Sequence, residues 1–285
     1  MENLIISMES ICDFSKDLIK KYDFSVLDMD FIIGEEVYNT RTDDIVSTRL
    51  YERMEKNEKT STSQINAETY KEFFLSLLGK SKKILHLAFS SGLSNTYISA
   101  VDAAKAVTDK YGADISVVAS LGGGAAHGML GNLVQRFAQS TNDFDEVKKY
   151  ASKIRYNMQM LFTVDNLKYL VSGGRIKPSV AFVGNLLNIK PLVKVNNEGK
   201  LVSFAKVISR RKSIKSIFDI FMSKRDADCD LCFISHANCE RDASILKDMI
   251  EKETSLQVCL TNLGPVLGCH AGPGTIAIFY AGNER

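Results

Sequence analysis

The 285-residue chain has no apolar run long enough to cross a bilayer, which speaks against a transmembrane helix. It has no surplus of either charge. Lys and Arg number 36 against 34 Asp and Glu, and a net +2 gives no electrostatic case for a nucleic-acid partner. It has no Walker A pattern, so a self-contained P-loop kinase is disfavoured. It has no disulfide framework either. The six cysteines are irregularly spaced and several sit inside apolar runs, such as Cys232-Phe233-Ile234 and Val258-Cys259-Leu260, as buried free thiols do. Cys229, Cys232, His236 and Cys239 do not make a zinc site. Positions i and i+3 of a strand face opposite ways, so no metal is expected. The opening Met1-Glu2-Asn3-Leu4-Ile5-Ile6 lacks the basic stretch of a secretory signal, and the expectation is a cytoplasmic protein. Internal repeats and low-complexity linkers are also missing.

What is present is a soluble globular composition, 45% hydrophobic and 25% charged, of a length that suits one large or two ordinary domains. In the first half, short apolar runs at 4–8, 25–29, 83–89 and 115–119 alternate with helical periodicity at 13–21, 43–56, 67–78 and 96–111. Phe31 to Tyr38 reads as a hairpin turning at Gly34-Glu35. Largely apolar strands alternating with helices predict a parallel sheet covered on two faces, a three-layer α/β/α domain over 1–155. The second half reads differently. A helix at 144–156, strands at 158–164, 230–235, 256–261 and 275–280, helices at 213–222 and 240–253, and a hairpin of 189–195 with 201–208 around Asn196-Asn197-Glu198-Gly199 predict an α+β domain over 156–285. Asp165 is placed to cap a helix at 167–170. Two abutting domains make a cleft, the usual seat of a ligand.

The densest signal is Ile84-Leu85-His86-Leu87-Ala88-Phe89-Ser90-Ser91-Gly92-Leu93-Ser94-Asn95-Thr96-Tyr97. An apolar strand runs into a Ser/Gly turn and straight into a helix. That aims hydroxyls and unpaired backbone N–H groups at one point, which suits a carboxylate or phosphate. Ser94 has three readings: a helix cap, a donor to a bound carboxylate, or a nucleophile in a near-match to G-x-S-x-G in which Thr96 replaces the second glycine. The last would make a serine hydrolase with His270 downstream. Thr60-Ser61-Thr62-Ser63-Gln64 is either a solvated loop with a helix cap or a second hydroxyl cluster that shares the anion. Leu121-Gly122-Gly123-Gly124-Ala125-Ala126-His127 approaches the dinucleotide fingerprint. However, His127 stands at the third glycine and no acid ends a second strand, so a tight strand-to-helix turn is the better use. Ser172-Gly173-Gly174-Arg175-Ile176-Lys177-Pro178 places two cations after a flexible turn, as a solvated loop or as a phosphate or partner contact. The glycine- and proline-rich segment 264–275 reads as a rigid turn between strands that holds His270 in place.

Taken in order, Thr62-Ser63-Gln64, the run from Ser90 to Tyr97, Gly173-Gly174-Arg175-Ile176 with Asn188-Ile189-Lys190-Pro191, and His270-Ala271-Gly272-Pro273-Gly274 resemble the DegV family of bacterial fatty-acid-binding proteins along nearly the whole chain. The resemblance implies a two-domain α/β protein with a buried tunnel for one long-chain fatty acid and no other cofactor. It implies that the carboxylate is held by Thr62 and Ser94, with Ser63, Ser91, Gly92 and His270 around them. Arg175 and Lys177 would contact the phosphoryl group or a partner. That partner would be a separate ATP-binding fatty acid kinase subunit making an acyl phosphate for phospholipid synthesis. A stand-alone lipid carrier or sensor is the alternative within the lipid-binding class. The chain departs from the family pattern at Glu9-Ser10 (usually Asp-Ser/Thr), Ala119-Ser120, Tyr38-Asn39, Ile65 and Asn95. The energetics are simple. Each buried methylene is worth about 0.8 kcal/mol, so the tail supplies affinity, and hydroxyls satisfy a head group that would be costly to bury unpaired.

Overall fold

A computed structural model describes residues 4–40, 47–178 and 188–283. The elements run β1 (Leu4–Glu9), α1 (Lys16–Lys21), β2 (Ser25–Leu27), β3 (Asp30–Ile33), β4 (Glu36–Asn39), α2 (Ser47–Glu55), β5 (Thr60–Thr62), α3 (Ala67–Leu78), β6 (Lys83–Ala88), α4 (Thr96–Tyr111), β7 (Asp114–Ala119), α5 (Ala125–Ala138) and α6 (Phe144–Ile154). They continue with β8 (Met158–Thr163), α7 (Lys168–Ser172), β9 (Ile189–Val195), β10 (Leu201–Ile208), α8 (Arg210–Lys224), β11 (Cys232–His236), α9 (Glu240–Glu253), β12 (Val258–Asn262), α10 (Pro265–Ala271) and β13 (Ile276–Ala281).

Strands β2, β1, β6 and β7, in that order, form a wholly parallel sheet. Its strands follow the period of two. Ile84 packs with Tyr70, Phe74 and Ala100 under α3 and α4, whereas Leu85 and Leu87 pack with Met129 and Leu130 of α5. The expected α/β/α layering is therefore present. The second sheet has the order β10-β9-β8-β13-β11-β12 and is antiparallel except between β11 and β12. Leu161 of β8 faces α8 and α9 through Ile217, Phe221 and Leu246. Its neighbours Met160 and Phe162 turn the other way, into the core built around α5. Helix α5 is thus wedged between the sheets. A third, antiparallel sheet of β4, β3 and β5 packs on α2 and α10 through Phe31, Leu50 and Cys269. No helix among the described residues is long and apolar enough to cross a membrane.

Several expectations are corrected. The helix expected over 13–21 begins at Lys16 and is capped by Ser15, whose oxygen accepts from the Leu18 N–H at 3.3 Å. Asp13 cannot belong to it, because its φ of 53° lies in the left-handed region. The helix expected over 43–56 is described from Ser47, and residues 43–46 lie outside the described residues. The same holds for the opening residues 1–3. The helix expected over 144–156 stops at Ile154 and tightens into a 3-10 turn. Residues 60–62 are a strand rather than a solvated loop, and 265–271 wind into α10 rather than a turn. Asp165 is not the cap of α7. Asn166 accepts from the Lys168 N–H at 2.8 Å, while Asp165 pairs with Lys190 at 2.6 Å. The thiols of Cys12, Cys229, Cys232 and Cys269 are buried, but Cys239 and Cys259 are only half-buried.

Candidate functional site

One cavity of about 440 Å³ lies where the three sheets meet. Ile11, Met29 and Phe89 come from the carboxyl ends of the parallel sheet, and Met160, Phe162 and Ala277 from the inner face of the second sheet. Leu263, Val266, Leu267 and Ala271 come from α10 and the residues before it. These groups form an apolar wall. At one end the lining turns polar, with Thr62, Ser63 and Gln64 on one side and Ser91, Gly92, Ser94 and Asn95 on the other. Gln64, Ser91 and Asn95 are exposed, so this end faces water. The volume falls within the range of small-molecule sites, about 300–1,000 Å³.

Each polar residue is placed by a local rule. Strand β5 pairs with β3 and brings Thr62 opposite Phe31. The chain then leaves the sheet through Ser63 and Gln64 and enters α3, capped by Asn66. The other loop leaves β6 at Phe89. Its Ser94 oxygen accepts from the Thr96 N–H at 3.2 Å and its hydroxyl donates to Thr96 at 2.9 Å, so Ser94 satisfies the first N–H of α4 from one residue before the N-cap position, Asn95. A serine hydroxyl rotates freely and has two acceptor lone pairs, so these bonds do not prevent it from facing a ligand. Gly92 is needed for close approach. A Cβ there would fall 2.6 Å from the Glu198 carbonyl oxygen at the tip of the β9–β10 hairpin. Next to it the Ser90 hydroxyl donates to the Gly199 carbonyl at 2.7 Å, joining the loop to the hairpin.

His270, on the last turn of α10, closes the polar end from the far side. Its Nε2 lies 2.9 Å from the Thr62 hydroxyl. With the proton on Nε2, the ring donates to Thr62 and leaves the threonine hydroxyl proton free to donate onward. Burial, with the positive charge of Arg175 added, pushes the His270 pKa down to about 4, so the ring is neutral near pH 7. Gly173 has no room for a side chain, because a Cβ there would fall 2.4 Å from His270 Nδ1. Arg175 lines the cavity beside this histidine and donates to the Gly173 carbonyl. Burial lowers its pKa from the ordinary value.

The structure therefore brings Thr62, Ser63, Ser91, Gly92, Ser94, His270 and Arg175 to one cavity, while Lys177 is exposed and does not line it. It does not bring Ser94 and His270 together as nucleophile and base. Among the described residues the Ser94 hydroxyl is bonded to Thr96 and the His270 ring to Thr62, and the charge acting on His270 is a cation, not an orienting carboxylate. Among the described residues no group of three or more His, Cys, Asp or Glu side chains could hold a metal. Gln64, Asn95 and Thr275 also line the cavity and were not expected in it. Gln64 and Asn95 adjoin the expected loops, so adjacency was a usable signal. Thr275 had none.

Comparison with known proteins shows the family and the fold. A family model described as an uncharacterised protein of the DegV family matches residues 3–283. A DegV domain-containing protein, CPE0026, of Clostridium perfringens is 32% identical, with 100% of this chain and 99% of the relative covered. Among solved structures, a DegV family protein from Thermus thermophilus, described by its fatty-acid binding, superposes with a TM-score of 0.87 at 21% identity, covering 98% of this chain and 99% of that one. A DegV family protein from Eubacterium eligens loaded with heptadecanoic acid superposes with a TM-score of 0.85 at 18% identity, covering 99% of this chain and 100% of that one.

Proposed function

Because the chain belongs to the DegV family, we propose that it binds a single long-chain fatty acid in the cavity between its sheets and presents the carboxylate at the polar end. Thr62 and Ser94 donate to the carboxylate, with Ser63, Ser91, Gly92 and His270 completing the head-group site. The acyl tail runs along Met29, Phe89, Met160 and Phe162. The observation that carries this reading is a single cavity with apolar walls and a hydroxyl-lined, water-facing end. The relatives from T. thermophilus and E. eligens, described by their fatty-acid binding and a fatty-acid ligand, support it.

The finer part of the proposal concerns what happens at the polar end. Arg175 and the exposed Lys177 meet a separate ATP-binding kinase subunit, which phosphorylates the carboxylate to an acyl phosphate for phospholipid synthesis. On this reading the protein is a cytoplasmic, non-catalytic binding subunit with no cofactor beyond its ligand. The head-group loops belong to the α/β domain of 1–155, joined by His270 from the α+β domain of 156–285, and the tail is covered from both, by Met29 and Phe89 and by Met160 and Phe162. A histidine held on Thr62, with its pKa lowered to about 4, is a weak base and suits a hydrogen-bonding site better than general-base catalysis.

Native mass spectrometry of the purified protein, followed by extraction and lipid identification, tests the binding. The expected result is one fatty acid per chain. A chain that is empty and refuses added octadecanoate overturns the reading. Capture of an ATP-binding subunit that turns over the loaded protein supports the kinase partnership, and its failure leaves a stand-alone carrier.

A further inference from the structure

A buried polar cluster lies beneath the head-group loops and is not used by the reading above. Glu9, the last residue of β1, is fully buried, as are Ser7, His86 and His127 around it and the Tyr70 ring. Oε1 of Glu9 accepts from the Tyr70 hydroxyl and faces His86 Nε2 at 3.3 Å. Oε2 accepts from the Phe89 N–H at 2.9 Å. Ser7 stands 3.0 Å from His86 Nδ1, so a serine donating there leaves the Nε2 proton for Glu9. His127 Nε2 lies 3.9 Å from Oε2 and donates to the Leu87 carbonyl at 2.9 Å. Burial alone would raise the Glu9 pKa, but His86, His127 and Tyr70 together hold it below the ordinary value. A carboxylate this deep persists only when ringed by donors, and this one is.

The partners sit on the elements that bear the ligand loops. Tyr70 is on the first turn of α3, just after Thr62-Ser63-Gln64. Phe89 opens the loop that runs through Ser91, Gly92 and Ser94. One carboxylate therefore ties two separate loops to the end of β1. We infer that Glu9 is a positioning residue for fatty-acid recognition, fixing the separation of Thr62 and Ser94 so that their hydroxyls meet one carboxylate. The inference rests on the fatty-acid reading.

Glu9→Gln keeps the size but gives three donors only one oxygen. Its amide protons then face either the Phe89 N–H, which cannot accept, or Tyr70 on α3 and His86 on β6, which would have to turn from donor to acceptor. The test measures affinity for octadecanoate and, in parallel, for octadecanol, which has the same tail and no carboxylate. Wild type should prefer octadecanoate. Glu9→Gln should lose about tenfold for octadecanoate with octadecanol unchanged. An equal fall for the two ligands, the mark of a merely structural residue, or no fall for either, overturns the inference. Should Glu9→Gln not fold, Tyr70→Phe removes one tether and keeps the carboxylate. It should show the same selective loss, about threefold, and a non-selective or absent loss overturns the inference equally. A wild-type chain with no preference for octadecanoate overturns the fatty-acid reading and this inference with it, whatever the variants do.

Discussion

Asp13 shows how one residue can carry local strain and a buried charge together. It follows the 3-10 turn after β1 with a φ of 53°, a conformation that Asn and Asp tolerate better than other side chains. Its carboxyl accepts from the Gly264 N–H at 3.2 Å, linking the end of the parallel sheet to the start of α10. The residue keeps some exposed surface, yet its carboxyl is enclosed, and burial pushes its pKa up to about 7 from 3.8, with the Gly264 N–H pulling the other way. The sign follows from linkage. The folded state holds a proton that the unfolded chain gives up, so this residue's contribution to stability is complete below pH 3.8 and is lost as pH rises through about 7. Asp13→Asn keeps the left-handed preference and the acceptor oxygen while removing the charge. Thermal melts from pH 4 to 8 should show the variant gaining on wild type as pH rises and levelling off above about pH 7. A melting-temperature difference that does not change with pH would show that Asp13 is not the titrating group.

At the scale of elements, the contact between the loop after β6 and the β9–β10 hairpin decides how the head-group site is assembled. Gly92 lies against Glu198 and Gly199 with no room for a methyl group. Gly92→Ala must push the hairpin and loop apart. Overpacking of this kind costs about 1–3 kcal/mol. A lower melting temperature with weaker octadecanoate retention is the expected outcome, and an unchanged protein would show that the hairpin yields freely. Neither the contact nor the loop geometry could be read from the sequence, because 106 residues separate Gly92 from Glu198. Several elements with their own periodic signal were legible to the residue, whereas the helices expected over 13–21, 144–156 and 213–222 have other bounds. α3, α4, α9, β9 and β10 have the bounds expected from apolar spacing and from the Asn-Asn-Glu-Gly turn. Elements that exist because of tertiary neighbours were not. β5 is three residues of Thr and Ser that become a strand only because β3 offers an edge. α10 has the glycine and proline content of a turn and is helical because Pro265 begins it and Tyr51 and Leu267 pack it under the third sheet. The hydroxyl loops were visible from composition and order. Glu9 was visible only as a departure from the family pattern after an apolar strand, since its partners Tyr70, His86, Phe89 and His127 lie far along the chain.

The described residues are organised around a space that their side chains do not fill. The cavity takes its walls from the ends of the parallel sheet, the inner face of the second sheet and α10, so an occupant touches elements from each. A ligand that binds only the folded state stabilises it by RT ln(1 + [L]/Kd), about 2.7 kcal/mol when the ligand stands at a hundredfold excess over Kd. For a chain of this size that corresponds to a shift of several degrees in melting temperature. Stripping bound lipid with a hydrophobic resin should therefore lower the melting temperature by several degrees, and adding octadecanoate should restore it. The stabilisation also has to divide by chemistry. Tail burial is shared by octadecanoate and octadecanol, whereas the hydrogen bonds of Thr62 and Ser94 to a carboxylate belong to the acid alone. Thr62→Val should then shrink the recovery given by octadecanoate toward that given by octadecanol, and leave the alcohol's own effect in place. If stripping changes nothing, the cavity is a packing feature rather than a binding site. If stripping matters but the two ligands restore stability equally in wild type, the tail site stands and the assignment of the polar end to a carboxylate falls.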